Sequence, residues 1–203
     1  MVGPHRVGGV VLCGGQSERM GTSKAWLDYH GEHFLTRIVK TLRQVVTPVV
    51  VAARSAQELP FLPDDVRVVY DSFSGGGPLV GLLAAFDALE GECDAVFVCA
   101  CDQPLITGEF VKQFVGLLED NQAVVIEHDK RLHPLTAVYR LSMRLLLAEM
   151  VAAGKLRARG FSERCGAVIL QSCRFSEVDP GLMSLWNIND PQAYERLRER
   201  LGR

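Results

Sequence analysis

Short runs of β-branched and apolar residues alternate along this chain with longer stretches whose apolar residues recur at helical spacing, and no other feature limits the fold as much. Strands separated by helices are the pattern of an α/β layer built around a largely parallel sheet. Strands are expected at residues 9–13, 48–53, 66–70 and 94–100, each an apolar run ending where polar or turn residues take over. Runs so continuously apolar read as central strands, covered on both faces. Between them, Phe34, Leu35, Ile38, Val39, Leu42 and Val45 recur at helical spacing, as do Leu79, Leu82, Leu83, Phe86 and Leu89 just after Pro78.

The second half is less regular. Strands are expected at 123–127 and 136–139, a helix over 142–153 ended by Gly154, and further strands near Val168 and Phe175, which together suggest an antiparallel portion. Asp190 followed by Pro191 reads as a helix N-cap and first helical residue, opening a last helix with Ala193, Leu197 and Leu201 inward. A chain of 203 residues suits one domain with a single large core.

Charge and cysteine usage narrow the function classes. The 22 basic and 24 acidic residues leave a net charge of −2, and neither sign is gathered into a block, so nucleic acid is not an expected partner. No apolar run approaches the roughly 18 residues of a membrane span. Residues 1–7 carry His5 and Arg6 and lead through Gly8-Gly9 into a glycine-rich loop, a pattern unlike a secretory signal, so a cytoplasmic location is expected. The six cysteines form no C-x-x-C pair; Cys99 and Cys101 fall on one face of a strand and read as small core side chains rather than zinc ligands or a disulfide.

The first strand runs into Gly14-Gly15-Gln16-Ser17-Glu18-Arg19-Met20-Gly21-Thr22-Ser23-Lys24. Glycines let backbone N–H groups approach an anion, and Arg19 and Lys24 can neutralise a triphosphate and a departing pyrophosphate. The spacing is neither G-x-x-x-x-G-K-[ST] nor G-x-G-x-x-G, which weakens kinase-like and dinucleotide-binding readings. A solvated turn with two surface cations would explain a bare Gly-Gly pair equally well.

The whole segment 12–24, L-C-G-G-Q-S-E-R-M-G-T-S-K, resembles the signature L-x-G-G-x-S-x-R-M-G-x-x-K of molybdenum cofactor guanylyltransferases. The similarity continues through Asp71-Ser72, Gly77-Pro78-Leu79-Val80-Gly81, Cys101-Asp102-Gln103-Pro104, His133-Pro134 and Asn187-Ile188-Asn189-Asp190-Pro191, in the family's order. It implies a three-layer, Rossmann-like nucleotidyltransferase fold, mostly parallel, with an antiparallel portion in the C-terminal half. It further implies one domain over 1–203, with nucleotide bound by about residues 1–105 and molybdopterin by about residues 106–203.

The resemblance implies transfer of GMP from GTP to the phosphate of molybdopterin, with Mg²⁺. Arg19, Lys24 and Asp102 would be catalytic, Asp102 also holding the metal. Leu12, Cys13, Gly14, Gly15, Lys24, Asp71, Gly77, Gly81 and Asp102 would bind GTP, and His133, Asn187 and Asn189 would meet molybdopterin. One carboxylate suffices for a nucleotide-borne Mg²⁺, since substrate phosphates and water supply the remaining ligands. Transient contact with a molybdenum-insertion protein or an apo-molybdoenzyme is implied as well.

Plainer readings stand beside several of these. Asp71 followed by Ser72 and glycines suits a turn, Pro78 suits helix initiation, His133 before Pro134 suits a loop, and Asn187 and Asn189 suit a turn or cap. Lys155, Arg157, Arg159 and Arg164 read as a solvated face rather than part of the site. Relatives carry asparagines where this chain has Ala52-Ala53-Arg54, and Arg54 is donor-only, so its contacts to a base would differ. The alternatives are therefore cytidylyl transfer to molybdopterin, or a non-catalytic module that binds nucleotide or pterin for delivery.

Overall fold

The structure, a computed structural model, describes residues 5–14, 22–71 and 77–200. In chain order the elements are β1 (Val7–Leu12), the small hairpin β2 (Asp28–Tyr29) and β3 (Glu32–His33), α1 (Phe34–Arg43), β4 (Val49–Arg54), β5 (Arg67–Asp71), α2 (Gly77–Leu89), β6 (Ala95–Ala100) and α3 (Gly108–Gly116). The second half adds β7 (Ala123–His128), β8 (Arg131–Arg140), α4 (Arg144–Ala152), α5 (Ala158–Arg164), β9 (Val168–Gln171) and α6 (Pro191–Glu199).

Seven of these strands form one sheet in the order β5-β4-β1-β6-β8-β7-β9. β8 alone runs against the other six, pairing antiparallel with β6 and with β7. Apolar side chains cover both faces: α1 and α3 pack with Val11, Val51 and Phe97 on one side, and α2, α4 and α5 with Val10, Val50 and Val98 on the other. The α/β class, the largely parallel sheet and the antiparallel portion in the second half are as the sequence pattern implied.

Several local expectations need correction. The run 66–70 becomes an edge strand, β5, not a central one, and Tyr70 stands 51% exposed on it. No strand forms at Phe175; it sits on a 3-10 turn, Ser172–Phe175, and is buried against Phe110 and Phe114 with ring centroids 4.8 and 5.1 Å away. A buried aromatic needs partners on α3 rather than a strand ladder, and its truncation to Ala would cost about 3–5 kcal/mol. The strand expected at 136–139 is the end of a longer one, and His133-Pro134 lies within it. Proline is tolerated there because the β7–β8 register breaks: Val125 faces Ala137 while Ile126 faces His133.

Helix α3 was not legible as a periodic segment, yet Thr107 caps it, its Oγ1 accepting from Phe110 N at 3.2 Å. The last helix is built as expected: Asp190 accepts from Ala193 N at 2.7 Å, Pro191 opens the first turn, and Ala193 and Leu197 are buried. Leu201 lies outside the described residues. No helix among the described residues is long and apolar enough to cross a membrane.

Candidate active site

The four strands β5, β4, β1 and β6 are mutually parallel, so their carboxyl ends open on one edge of the sheet, where ligands gather in open α/β folds. Leu12 is level with Ala52 on one side and Ala100 on the other, and Arg54 is level with Asp71. The sheet therefore delivers Cys13, Arg54, Asp71 and Asp102 to the same edge. Gly14 faces this group: a Cβ on it would stand 3.4 Å from Arg54 Cγ and 3.5 Å from Asp71 Oδ2.

Lys24 starts a 3-10 turn, Lys24–Trp26, which the wholly buried Ala25 fixes against the core. Its ammonium donates to Asp102 Oδ2 at 2.9 Å and to Asn189 Oδ1 at 2.5 Å. Both side chains of the ion pair are only 15% exposed, so water screens the pair less than it would at the surface. The other carboxylate oxygen, Asp102 Oδ1, is buried and accepts no hydrogen bond from the described residues. An ionised oxygen is costly to bury without a donor or cation beside it. Its environment fits a hard divalent cation held by one carboxylate and by substrate phosphates. Among the described residues no cluster of three or more His, Cys, Asp or Glu side chains could hold an ion by itself.

The turn that carries Asp102 is held from several directions. Ile188 N donates to its main-chain carbonyl at 2.8 Å, and Arg37 Nε donates to Pro104 O at 2.8 Å. Gln103, 2% exposed, accepts from Ala100 N at 3.1 Å and donates through Nε2 to Thr136 Oγ1 at 2.7 Å and to Ser184 O at 3.3 Å. The Asp179 carboxylate in turn accepts from Met183 N at 3.0 Å and Ser184 N at 2.8 Å. On the other flank Gln57 accepts from Arg54 N at 3.1 Å and donates to Cys13 O at 3.0 Å. Sequence reasoning missed Gln57, Asp179 and Ser184 and gave Gln103 no task, because each works through a partner distant in sequence.

The remaining candidates are placed unevenly. Gly15 and Arg19 lie outside the described residues. Leu12 and Cys13 are buried, their backbone engaged with Cys101 N and with Ala52 O and Gln57. Gly77, at φ +68°, begins α2 beside Leu156, whereas Gly81 is buried against the sheet, where a Cβ would stand 3.4 Å from Ala52 Cβ. That position lets α2 pack closely on β4. His133 lies on the half of β8 that flanks the carboxyl end of β6, and burial, aided by His128 and Arg131, holds its imidazole below its ordinary pKa. Asn189 joins Lys24 directly; Asn187, two residues earlier, is exposed.

Two further side chains bear on the chemistry. Arg54 has a buried Nε that no acceptor among the described residues meets. Cys99 and Cys101 are both buried in the core, as the strand pattern implied, and burial raises the Cys99 thiol far above its usual pKa, so it stays neutral.

Residues 9–168 match the family described as MobA-like NTP transferase domain. A molybdenum cofactor guanylyltransferase from Desulfosudis oleivorans is 28% identical over 192 residues, covering 94% of this chain and 93% of its own. A probable molybdenum cofactor guanylyltransferase from Methanothermobacter thermautotrophicus is 32% identical, covering 90% and 94%. Among solved structures, molybdopterin-guanine dinucleotide biosynthesis protein A from Archaeoglobus fulgidus aligns with a TM-score of 0.79 at 22% identity, over 96% of this chain and 98% of that one.

Proposed function

The chain belongs to the family of MobA-like NTP transferase domains, and from that membership we infer that it transfers GMP from GTP to the phosphate of molybdopterin, giving the guanine dinucleotide cofactor and pyrophosphate. It is a nucleotidyltransferase of molybdenum cofactor biosynthesis, with GTP and molybdopterin as substrates. The Lys24–Asp102 pair at the carboxyl end of β6, with one carboxylate oxygen buried and open, is the observation that best supports a phosphate and metal centre here.

Nucleotidyltransferases of this kind generally work with a divalent ion, and Asp102 is the residue that would hold Mg²⁺. When bound, Mg²⁺ would supply charge to withdraw electrons from the α-phosphate. The attacking molybdopterin phosphate is already an anion, so no protein nucleophile is required and the chain's work is positioning and neutralisation. Lys24 meets the negative charge that builds on the departing pyrophosphate, and Arg19 from the same loop shares that task. Gly14 and Gly15 would present backbone to the nucleotide, while Leu12 and Cys13, whose backbone groups are paired with Cys101, Ala52 and Gln57, tie that loop to the sheet edge, and Gly77 brings the start of α2 up to the phosphates. Asp71 accepts from base or ribose, and Gly81 contributes by letting α2 close on the sheet.

About residues 1–105 thus serve the nucleotide and about residues 106–203 the pterin, with His133, Asn187 and Asn189 on that second side. Handing on the product calls for transient contact with a molybdenum-insertion protein or an apo-molybdoenzyme. Cytidylyl transfer is the second reading, and the unmet Nε of Arg54 favours keeping it, because a donor-only side chain there changes what a base must offer.

Pyrophosphate release, measured with Mg²⁺ and with GTP, CTP or ATP, each with and without molybdopterin, tests the assignment. Release with GTP alone, dependent on the pterin, is the expected result. A CTP preference would move the chain to cytidylyl transfer, and silence with all three would leave a binding module.

A further inference from the structure

Asn189 is 165 residues from Lys24 in sequence, yet its side-chain oxygen is 2.5 Å from the Lys24 ammonium. The backbone on either side of it is fixed. Ile188 is wholly buried among Leu27, Phe34, Ala193 and Leu197, and its N–H donates to the Asp102 carbonyl. Asp190 caps α6, and Tyr194 on that helix donates from its hydroxyl to Asp28 O at 2.9 Å. Asn189 therefore reaches Lys24 from a short rigid span between two anchors, although its own side chain packs against little.

The residue type matters as much as the place. An amide oxygen accepts from an ammonium without cancelling its charge, whereas a carboxylate at 189 would pair with Lys24 and leave less charge for a phosphate. Lys24 is held by Asp102 Oδ2, and a divalent cation on Oδ1 would draw on the same carboxylate charge and weaken that pair. An acceptor that the cation does not touch then helps to keep the ammonium aimed at the phosphates. We propose that Asn189 is that acceptor: a positioning residue that holds Lys24, fully charged, in the nucleotide site, so that the segment before α6 completes a site built mainly from the first half of the chain. This rests on the reading of Lys24 and Asp102 as the phosphate and metal groups, and it gives Asn189 a task beyond contact with the pterin.

The test is GTP affinity in the presence of Mg²⁺ and the absence of molybdopterin, measured by calorimetry on the full chain. Asn189→Ala is expected to weaken GTP binding roughly tenfold, the usual size for a hydrogen bond to a charged group. Asn189→Asp, which keeps shape and acceptor but adds charge, is expected to weaken it at least as much, an outcome that a purely structural role does not produce. In a Lys24→Ala background, Asn189→Ala should add nothing further. Because Asn189 is exposed and its neighbours carry the packing, the variants should melt with the parent protein. Wild-type GTP affinity in Asn189→Ala, with only the KM for molybdopterin raised, would overturn the proposal and return Asn189 to the pterin side. Unchanged GTP affinity in Lys24→Ala would instead overturn the reading of the nucleotide site on which it stands.

Discussion

Two glutamines occupy matching places in this molecule and do different work. Gln57 follows the end of β4 and accepts from Arg54 N; Gln103 follows the end of β6 and accepts from Ala100 N, each three residues on and each at 3.1 Å. Gln57 then reaches Cys13 O, joining two strands that the sheet already pairs, while Gln103 reaches Thr136 on β8 and Ser184 on the 3-10 turn Met183–Leu185. The nucleotide side of the site is thus held by continuous ladders with side chains as reinforcement. The other side has no ladder to lean on near residues 179–190 and is held by buried side-chain hydrogen bonds themselves.

That contrast predicts where chemistry and where stability will fail. The largest effect belongs to the charged pair at the ladder end: Asp102→Asn or Lys24→Ala should lower turnover by at least about 10²-fold. The fold should survive, since neither side chain supports the sheet. Steady-state rates with GTP and molybdopterin, beside circular dichroism, check both halves of this statement. Full turnover in both variants would remove the pair from the catalytic machinery.

The same contrast explains what could be read from sequence. Strands β1, β4 and β6 announce themselves because they are buried on both faces and must be apolar throughout, and the loop after β1 carries a recognisable pattern of glycines and cations. Asp102 followed from its place after β6. Residues 172–185 offered no such signal: Phe175 sits on a tight turn, and Asp179, Ser184 and Gln103 are joined by tertiary contacts that leave no period in the sequence. Pro134 hid the first half of β8, because a proline is admitted there only by a register break that partner strands create. The resemblance placed Asn189 with the pterin; only the fold showed its bond to Lys24.

The glutamines turn the comparison into a number. Gln103→Ala strands buried partners on three elements and should cost on the order of 3 kcal/mol, while Gln57→Ala, half-buried and backed by the ladder, should cost about 1 kcal/mol. Denaturant unfolding of the two variants reads the difference directly. Equal losses would mean that the side-chain network around residues 179–185 is no more dependent on single contacts than the strand ends. Arg54→Asn should matter less to stability still, and its effect should surface in the ratio of GTP to CTP turnover, shifting it by a few-fold. An unaltered ratio would take Arg54 out of base selection.

His133 offers the smallest and most selective probe, because it lies on β8, the strand that Gln103 grips through Thr136, and titrates. Burial disfavours its cation first, and the neighbouring His128 and Arg131 add to that, so its folded pKa lies below the ordinary 6.5. A group depressed in this way contributes stability that is fully present above its unfolded value and is lost as pH falls through the lower folded value. In the folded protein the imidazole resists the proton that the unfolded chain accepts readily, so acid favours unfolding from about pH 6.5 downward. His133→Gln keeps polarity and approximate size but cannot titrate. Its melting temperature should therefore fall less between pH 7.5 and pH 5.5 than that of the parent protein, by about a degree or two. Parallel pH slopes would show that the imidazole is solvated well enough to take its proton in the folded state, and that this part of β8 lies open rather than packed.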